Sequence, residues 1–136
     1  MAFGASGARR SIAFVTLRGL CWVSGIYDLL LAVPMLLAPV LTARLFGAPD
    51  PLPVVNAQIN GVFALSLGVG YFWAMGDVEA RRGYLWVAGV LAKALGASVF
   101  VLDHFLRGSP ASFLVFAACD SGLALLTFVL LRRRAS

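Results

Sequence analysis

Asp28, Lys93 and Asp120 stand in the middle of three separate apolar runs, each long enough to cross a bilayer. A single ionisable group at that depth costs roughly 2.5–3.5 kcal/mol on insertion scales. Three such groups on three helices and at similar depth are expected to face one another inside a bundle. Two carboxylates against one ammonium leave a surplus acid, which at low dielectric holds a proton or binds a cation. A protonated carboxyl beside a lysine is a proton donor or relay, and it can also hydrogen-bond the polar head of a lipophilic ligand. The same trio also reads as an ion-pair network that fixes helix order and does no chemistry.

Asn60 belongs to the same layer, and Ser24 and Asn56 are secondary candidates on the same helical stripes. His104, the chain's one histidine, stands beside Asp103 where a metal or a proton could enter. One His with scattered acids is a poor ligand set, so no metal site is assigned. Asp77, Glu79, Arg81 and Arg82 read as a solvated loop. Cys21 and Cys119 are not a CxxC pair and are expected to be buried thiols acting as small hydrophobes. No nucleophile elbow, phosphate loop or HExxH motif is present, so no catalytic residue is assigned.

The elements that carry these residues follow from composition. The 136 residues are 61% hydrophobic and 12% charged, with a mean hydropathy of +0.92. A soluble domain needs about 25% charged residues to cover its surface, so lipid must cover most of this one. Proline, glycine and charge clusters divide a single membrane domain into four spans, residues 12–38, 54–75, 84–106 and 111–131. Each reaches the ~20 residues that cross ~30 Å. The fold class expected is all-α, a four-transmembrane-helix bundle.

The net charge of +5 comes almost wholly from arginine. There is no basic stripe with interleaved aromatics, so nucleic acid is not a partner. Arg9, Arg10, Arg18, Arg81, Arg82, Arg132, Arg133 and Arg134 fall on one side of the bundle, Arg44 and Arg107 on the other. The positive-inside rule then puts both termini in the cytoplasm. The first apolar run is too long for a cleaved signal and is broken by Asp28, so an uncleaved first helix is expected. Trp22, Trp73, Trp86 and Tyr84 lie towards the cytoplasmic ends, where an aromatic belt belongs.

Residues 39–53 make the outer-face loop. Leu41, Leu45 and Phe46 stand there at helical spacing beside Arg44, as a short interfacial helix requires. Pro34 in the first span frees a backbone carbonyl just outside Asp28 and can bend the helix or open a cavity. A faint repeat relates Asn60-Gly61 to Ser121-Gly122.

Each span carries one narrow face of small residues around a polar group, as close helix contacts in membranes require. In the first it is Cys21, Ser24, Gly25, Asp28 and Ala32; in the second Asn56, Asn60, Ala64, Gly68 and Tyr71. In the third it is Gly89, Lys93, Gly96, Ala97, Phe100 and His104; in the fourth Ala117, Asp120, Ala124 and Thr127. The third span alone would insert poorly, with Lys93 offsetting most of its apolar gain.

With four short spans, GIYDLLLAVPMLLAP in the first and Asp-Ser-Gly in the fourth, the chain resembles the small bacterial four-helix DoxX-like integral membrane proteins. That resemblance implies a bacterial cytoplasmic (inner) membrane and, for some relatives, association with redox or quinone-linked complexes. Acidic residues in successive spans also resemble the sterol-isomerase-like membrane proteins, but Asn56 and Asn60 stand where that pattern has an acid.

Three functions remain open. The first is a non-enzymatic accessory or lipophilic-ligand-binding bundle, partnered by the lipid bilayer and by a lipophile or a larger membrane complex. The second is a proton-coupled small-solute transporter acting as a homodimer. The third is a membrane-embedded acid–base isomerase. No cofactor is specified by the residues.

Overall fold

A computed structural model describes residues 4–133, with side chains from Leu17 onward. The described chain is helical. Four helices are long and apolar enough to cross a membrane: Leu17–Leu37, Val55–Gly76, Arg82–Arg107 and Ser112–Arg133. The first belongs to α1 (Gly4–Leu37), which continues unbroken ahead of the apolar run. Arg9 and Arg10 lie ahead of the described side chains, and Arg134 lies outside the described residues.

The loop after α1 folds back as α2 (Pro39–Leu45). Pro39 suits its first turn because that position has no intrahelical N–H bond to lose. Gly47, at φ +70°, closes it in the left-handed conformation that costs other residues strain. Arg44 and Asp50 pair across this exposed loop at 2.8 Å. The guanidinium holds the Asp50 carboxyl below the ordinary aspartate range. Its stabilising contribution is therefore present above that range and is lost as pH falls through the lowered value. A carbon-detected NMR titration should place the Asp50 midpoint below about 3.9, and Arg44→Ala should return it to that value.

Chain order continues with α3 (Val55–Gly76), a single turn α4 (Arg82–Tyr84), a π-helical stretch Leu85–Ala92, α5 (Lys93–Arg107) and α6 (Ser112–Arg133). Gly108, again left-handed, closes α5, and its N–H donates to the His104 carbonyl at 3.1 Å. The helices pair as two hairpins. α1 packs along α3, and the π-stretch with α5 packs along α6; the pairs meet mainly through α1 and α6. Contacts of α3 with the second pair are few and fall at α4 and the π-stretch.

A core of Leu17, Cys21, Tyr71, Val78, Leu85 and Leu131 gathers the start of the described α1 and the finish of α6 at one end. Arg82 locks that end by donating to the Leu131 carbonyl at 2.9 Å. The outward faces are apolar and exposed, Leu30, Phe63, Val87, Val99 and Leu125 among them. Such a surface suits hydrocarbon and not water.

Candidate functional site: a lysine between two aspartates

The π-helical stretch delivers the lysine. A π turn holds an extra residue compared with an α turn, so it rotates every residue that follows and is common at functional sites. Here it ends at Ala92, and Lys93 opens the α-helix beyond it. Gly89 in the π-stretch lies against α6, where a Cβ would come within 2.7 Å of Thr127 Cγ2. Gly89→Ala should therefore cost about 1 kcal/mol or more by overpacking. Adding Thr127→Ser removes the clashing methyl and should recover part of the loss in a reversible unfolding titration.

Lys93 Nζ donates to Asp28 Oδ1 at 2.8 Å and to Asp120 Oδ1 at 3.3 Å. Three helices thus supply the trio: α1, α5 and α6. Asp28 and Lys93 are each 4% exposed and Asp120 is 9% exposed. The ammonium also stands 4.7 Å from the Tyr27 ring centre and 5.8 Å from that of Tyr71, within cation–π range. Two carboxylates and two aromatic faces therefore enclose the charge.

Not every oxygen in this centre is used. Asp28 Oδ2, Ser24 Oγ and the hydroxyls of Tyr27 and Tyr71 are buried with no hydrogen-bond partner among the described residues. The Tyr27 hydroxyl lies beside Asp120, and the Tyr71 hydroxyl beside Ser24, yet neither pair has the geometry of a well-formed hydrogen bond. Leaving a buried polar atom unsatisfied costs about 1–3 kcal/mol, so four around one lysine need a reason. Tyr84 differs: its hydroxyl donates to the Leu67 carbonyl at 2.6 Å, while its ring packs edge-on against Tyr71.

Other sequence candidates fall elsewhere. Asn60 and Asn56 are exposed on α3 and take no part in the centre. The helix is turned by Gly61, one position on, whose missing side chain lets the backbone approach the Ala32 carbonyl and Met35 of α1. The buried stripe of α3 is Gly61, Gly68, Tyr71 and Ala74. Gly122 meets open space where its counterpart Gly61 is buried, so the faint repeat does not extend to packing. Cys119 is exposed, against the expectation of two buried thiols; its neighbour Asp120 takes the inward position. Cys21 is buried.

His104 closes the end of α5. Its Nδ1 contacts the Ser109 carbonyl at 2.5 Å, while Asp103 pairs with Arg107 at 2.7 Å and accepts from Ser109. No group of His, Cys, Asp and Glu suited to a metal occurs among the described residues. Trp22, Trp73 and Trp86 are exposed, and Trp73 carries the Arg81 guanidinium 4.3 Å from its ring centre.

A cavity of about 340 Å³ lies between the trio and α2. Its walls include Leu31 and Pro34 of α1, Ala57 of α3, and Phe100, Phe113 and Phe116, and α2 covers it through Thr42 and Ala43. Leu31 follows Asp28 by one helical turn, Phe116 precedes Asp120 by one, and Phe100 follows Lys93 by two. Phe46, beyond α2, stacks edge-on against Phe116 at 4.8 Å, and its carbonyl accepts from Ser112 at 2.5 Å. These contacts tie the cover to α6. Neither Phe113 nor Phe116 stood on an inward stripe in the sequence reading. An aromatic residue at helical spacing gives no signal that separates a cavity wall from a lipid-facing position.

No family model, characterised protein or solved structure matches the chain.

Proposed function

We propose that the chain is an integral membrane protein that binds a lipophilic molecule in the cavity beneath α2, with the polar end of that molecule turned towards the Asp28–Lys93–Asp120 centre. The observation that carries this reading is the cavity's position. An apolar space of about 340 Å³ falls at the small end of the roughly 300–1,000 Å³ typical of ligand sites, and it begins one helical turn from a charged layer in which the Tyr27 hydroxyl is buried and unpartnered. Ligand pockets share this design, an apolar lining with few convergent polar groups. The centre holds the polar end; binding and orientation are its role, in the manner of a small DoxX-like bundle.

The orientation that fits has the start of α1 and the finish of α6 facing the cytoplasm. Arg18, Arg81, Arg82, Arg132 and Arg133 cluster there, with Arg44 and Arg107 opposite. The cavity would then open in the outer half of a bacterial cytoplasmic membrane, under an interfacial α2.

Native mass spectrometry of the protein released from its own membrane in mild detergent tests the reading. A reproducible adduct of a few hundred daltons is expected, and Ala57→Trp, which fills the cavity, should remove it. A bare chain from several detergents, with wild type and Ala57→Trp alike, would end this reading.

A further inference from the structure

The charged centre has a stoichiometry that the lipophile does not explain. With both carboxylates ionised it carries one net negative charge, because Lys93 neutralises only one of them. Removing an uncompensated charge from water is expensive, and the attraction to Lys93 offsets it only in part. The unused atoms are placed to correct this. Asp28 Oδ2 is unpartnered, and Ser24, one turn earlier on α1, has its hydroxyl unpartnered as well. Tyr71 of α3 brings a third such oxygen beside Ser24, close enough to feel the Asp28 charge. Ser24 and Tyr71 are each 1% exposed. Three oxygens on two helices thus lie in one buried region, none of them in a well-formed hydrogen bond, as ligands available to a small cation would be.

The adjoining gap limits the occupant. The space beside Ser24 and Tyr71, walled by Leu17, Cys21, Leu85 and Thr127, is too narrow for a water molecule. A hydrated ion does not fit in that gap, so a cation held beside Ser24 and Tyr71 is a proton or a bare ion smaller than water, such as sodium. Oxygen donors suit hard cations such as sodium. A divalent ion would leave the centre one charge positive. The groups facing Asp28 are Lys93 from α5, Asp120 from α6, Tyr71 from α3, Tyr84 from α4 and Tyr27 from α1. Among them Lys93 alone is a cation, and both of its described carboxylate bonds are already made.

We propose that Asp28 Oδ2, Ser24 Oγ and the Tyr71 hydroxyl hold one exchangeable monovalent cation, a proton or a sodium ion, beside the Lys93 ion pairs. This site is separate from the cavity beneath α2 and stands whether or not a lipophile binds there.

The test uses the full chain in lipid nanodiscs at neutral pH, with thermal unfolding and infrared spectroscopy as readouts. Sodium chloride is compared with choline chloride at constant ionic strength. Saturable stabilisation by sodium, reduced in Ser24→Ala and Tyr71→Phe and lost in Asp28→Asn, identifies a sodium site. Without a sodium effect, the carbonyl stretch of a protonated carboxyl decides. A band that shifts in deuterium oxide, moves in Ser24→Ala and vanishes in Asp28→Asn identifies a proton. Ser24→Ala and Tyr71→Phe leave the ion pairs intact, so the assignment survives if Asp28→Asn does not fold. No sodium effect and no such band overturns the proposal, as does a band that Ser24→Ala and Tyr71→Phe leave unmoved.

Discussion

Replacing Lys93 with methionine should lower the stability of the folded bundle by about 3–5 kcal/mol, the range measured when one partner of a buried ion pair is removed. The same change should improve insertion of the isolated third span by roughly 2–3 kcal/mol, because a charge leaves the middle of an apolar helix. Opposite signs in the two measurements are the signature of the arrangement. Lys93 costs free energy when its helix enters the bilayer, and that cost is offset when Asp28 and Asp120 are met at 2.8 and 3.3 Å. The bundle loses more because methionine leaves both carboxylates buried without the ammonium they share. Asp28→Asn and Asp120→Asn on the Lys93→Met background should then restore much of the stability. Each alone in the wild-type background should destabilise. Reversible unfolding in mixed micelles gives the first quantity and a glycosylation-based insertion assay the second. Equal stability of Lys93→Met and wild type would mean that the lysine reaches the interface and the buried pairing does not form.

The trio was legible in the sequence because a charge in an apolar run is expensive wherever it points, and only an inward position makes it tolerable. The four long apolar helices were legible for the related reason that their hydrophobic length is a property of each segment alone. The faces of α3 were harder. Asn60 and Gly61 are adjacent, and spacing supports either as the start of an inward stripe. Contact with α1 decides, because the Gly61 backbone can approach Ala32 and Met35 more closely than any side chain permits. With α3 packed almost entirely on α1, most of its circumference faces outward, and both asparagines go with it. Cys119 was misplaced for a similar reason, since the inward face of α6 is centred on Asp120 and is too narrow to include its neighbour. The π-helical stretch had no signal: LWVAGVLA is as compatible with an α-helix, and only the folded bundle shows it packed against α6 with an extra residue per turn. The cavity was hidden because four helices and α2 must converge before Phe100, Phe113 and Phe116 enclose anything.

Gly68→Ile should weaken the bundle by about 1–3 kcal/mol, the usual cost of overpacking, although it makes the second span more hydrophobic. Gly25 of α1 and Gly68 of α3 face each other. A Cβ on Gly25 would lie 3.3 Å from the Gly68 carbonyl oxygen, and one on Gly68 would lie 3.2 Å from that of Gly25. The Phe72 ring and the Leu29 side chain also stand within 3.0–3.3 Å of these positions, but the two carbonyls are backbone atoms, which cannot turn aside as a rotamer can, so the helices must separate. In a membrane that loss is not repaid by hydrophobic burial, since lipid covers the separated faces as readily as protein does. The damage should reach the charged centre, because Asp28 lies one turn beyond Gly25 and Tyr71 one turn beyond Gly68. Gly25→Ile should produce a similar loss. The double variant should lose less than the sum of the two, since a seam already opened by one side chain has room for the second. Full additivity would mean that the two positions act through separate contacts, and α1 and α3 would not then be joined by a shared glycine seam. Sub-additivity with retained helicity would place the stability of the centre in the close approach of these two helices, with the ion pairs resting on that scaffold.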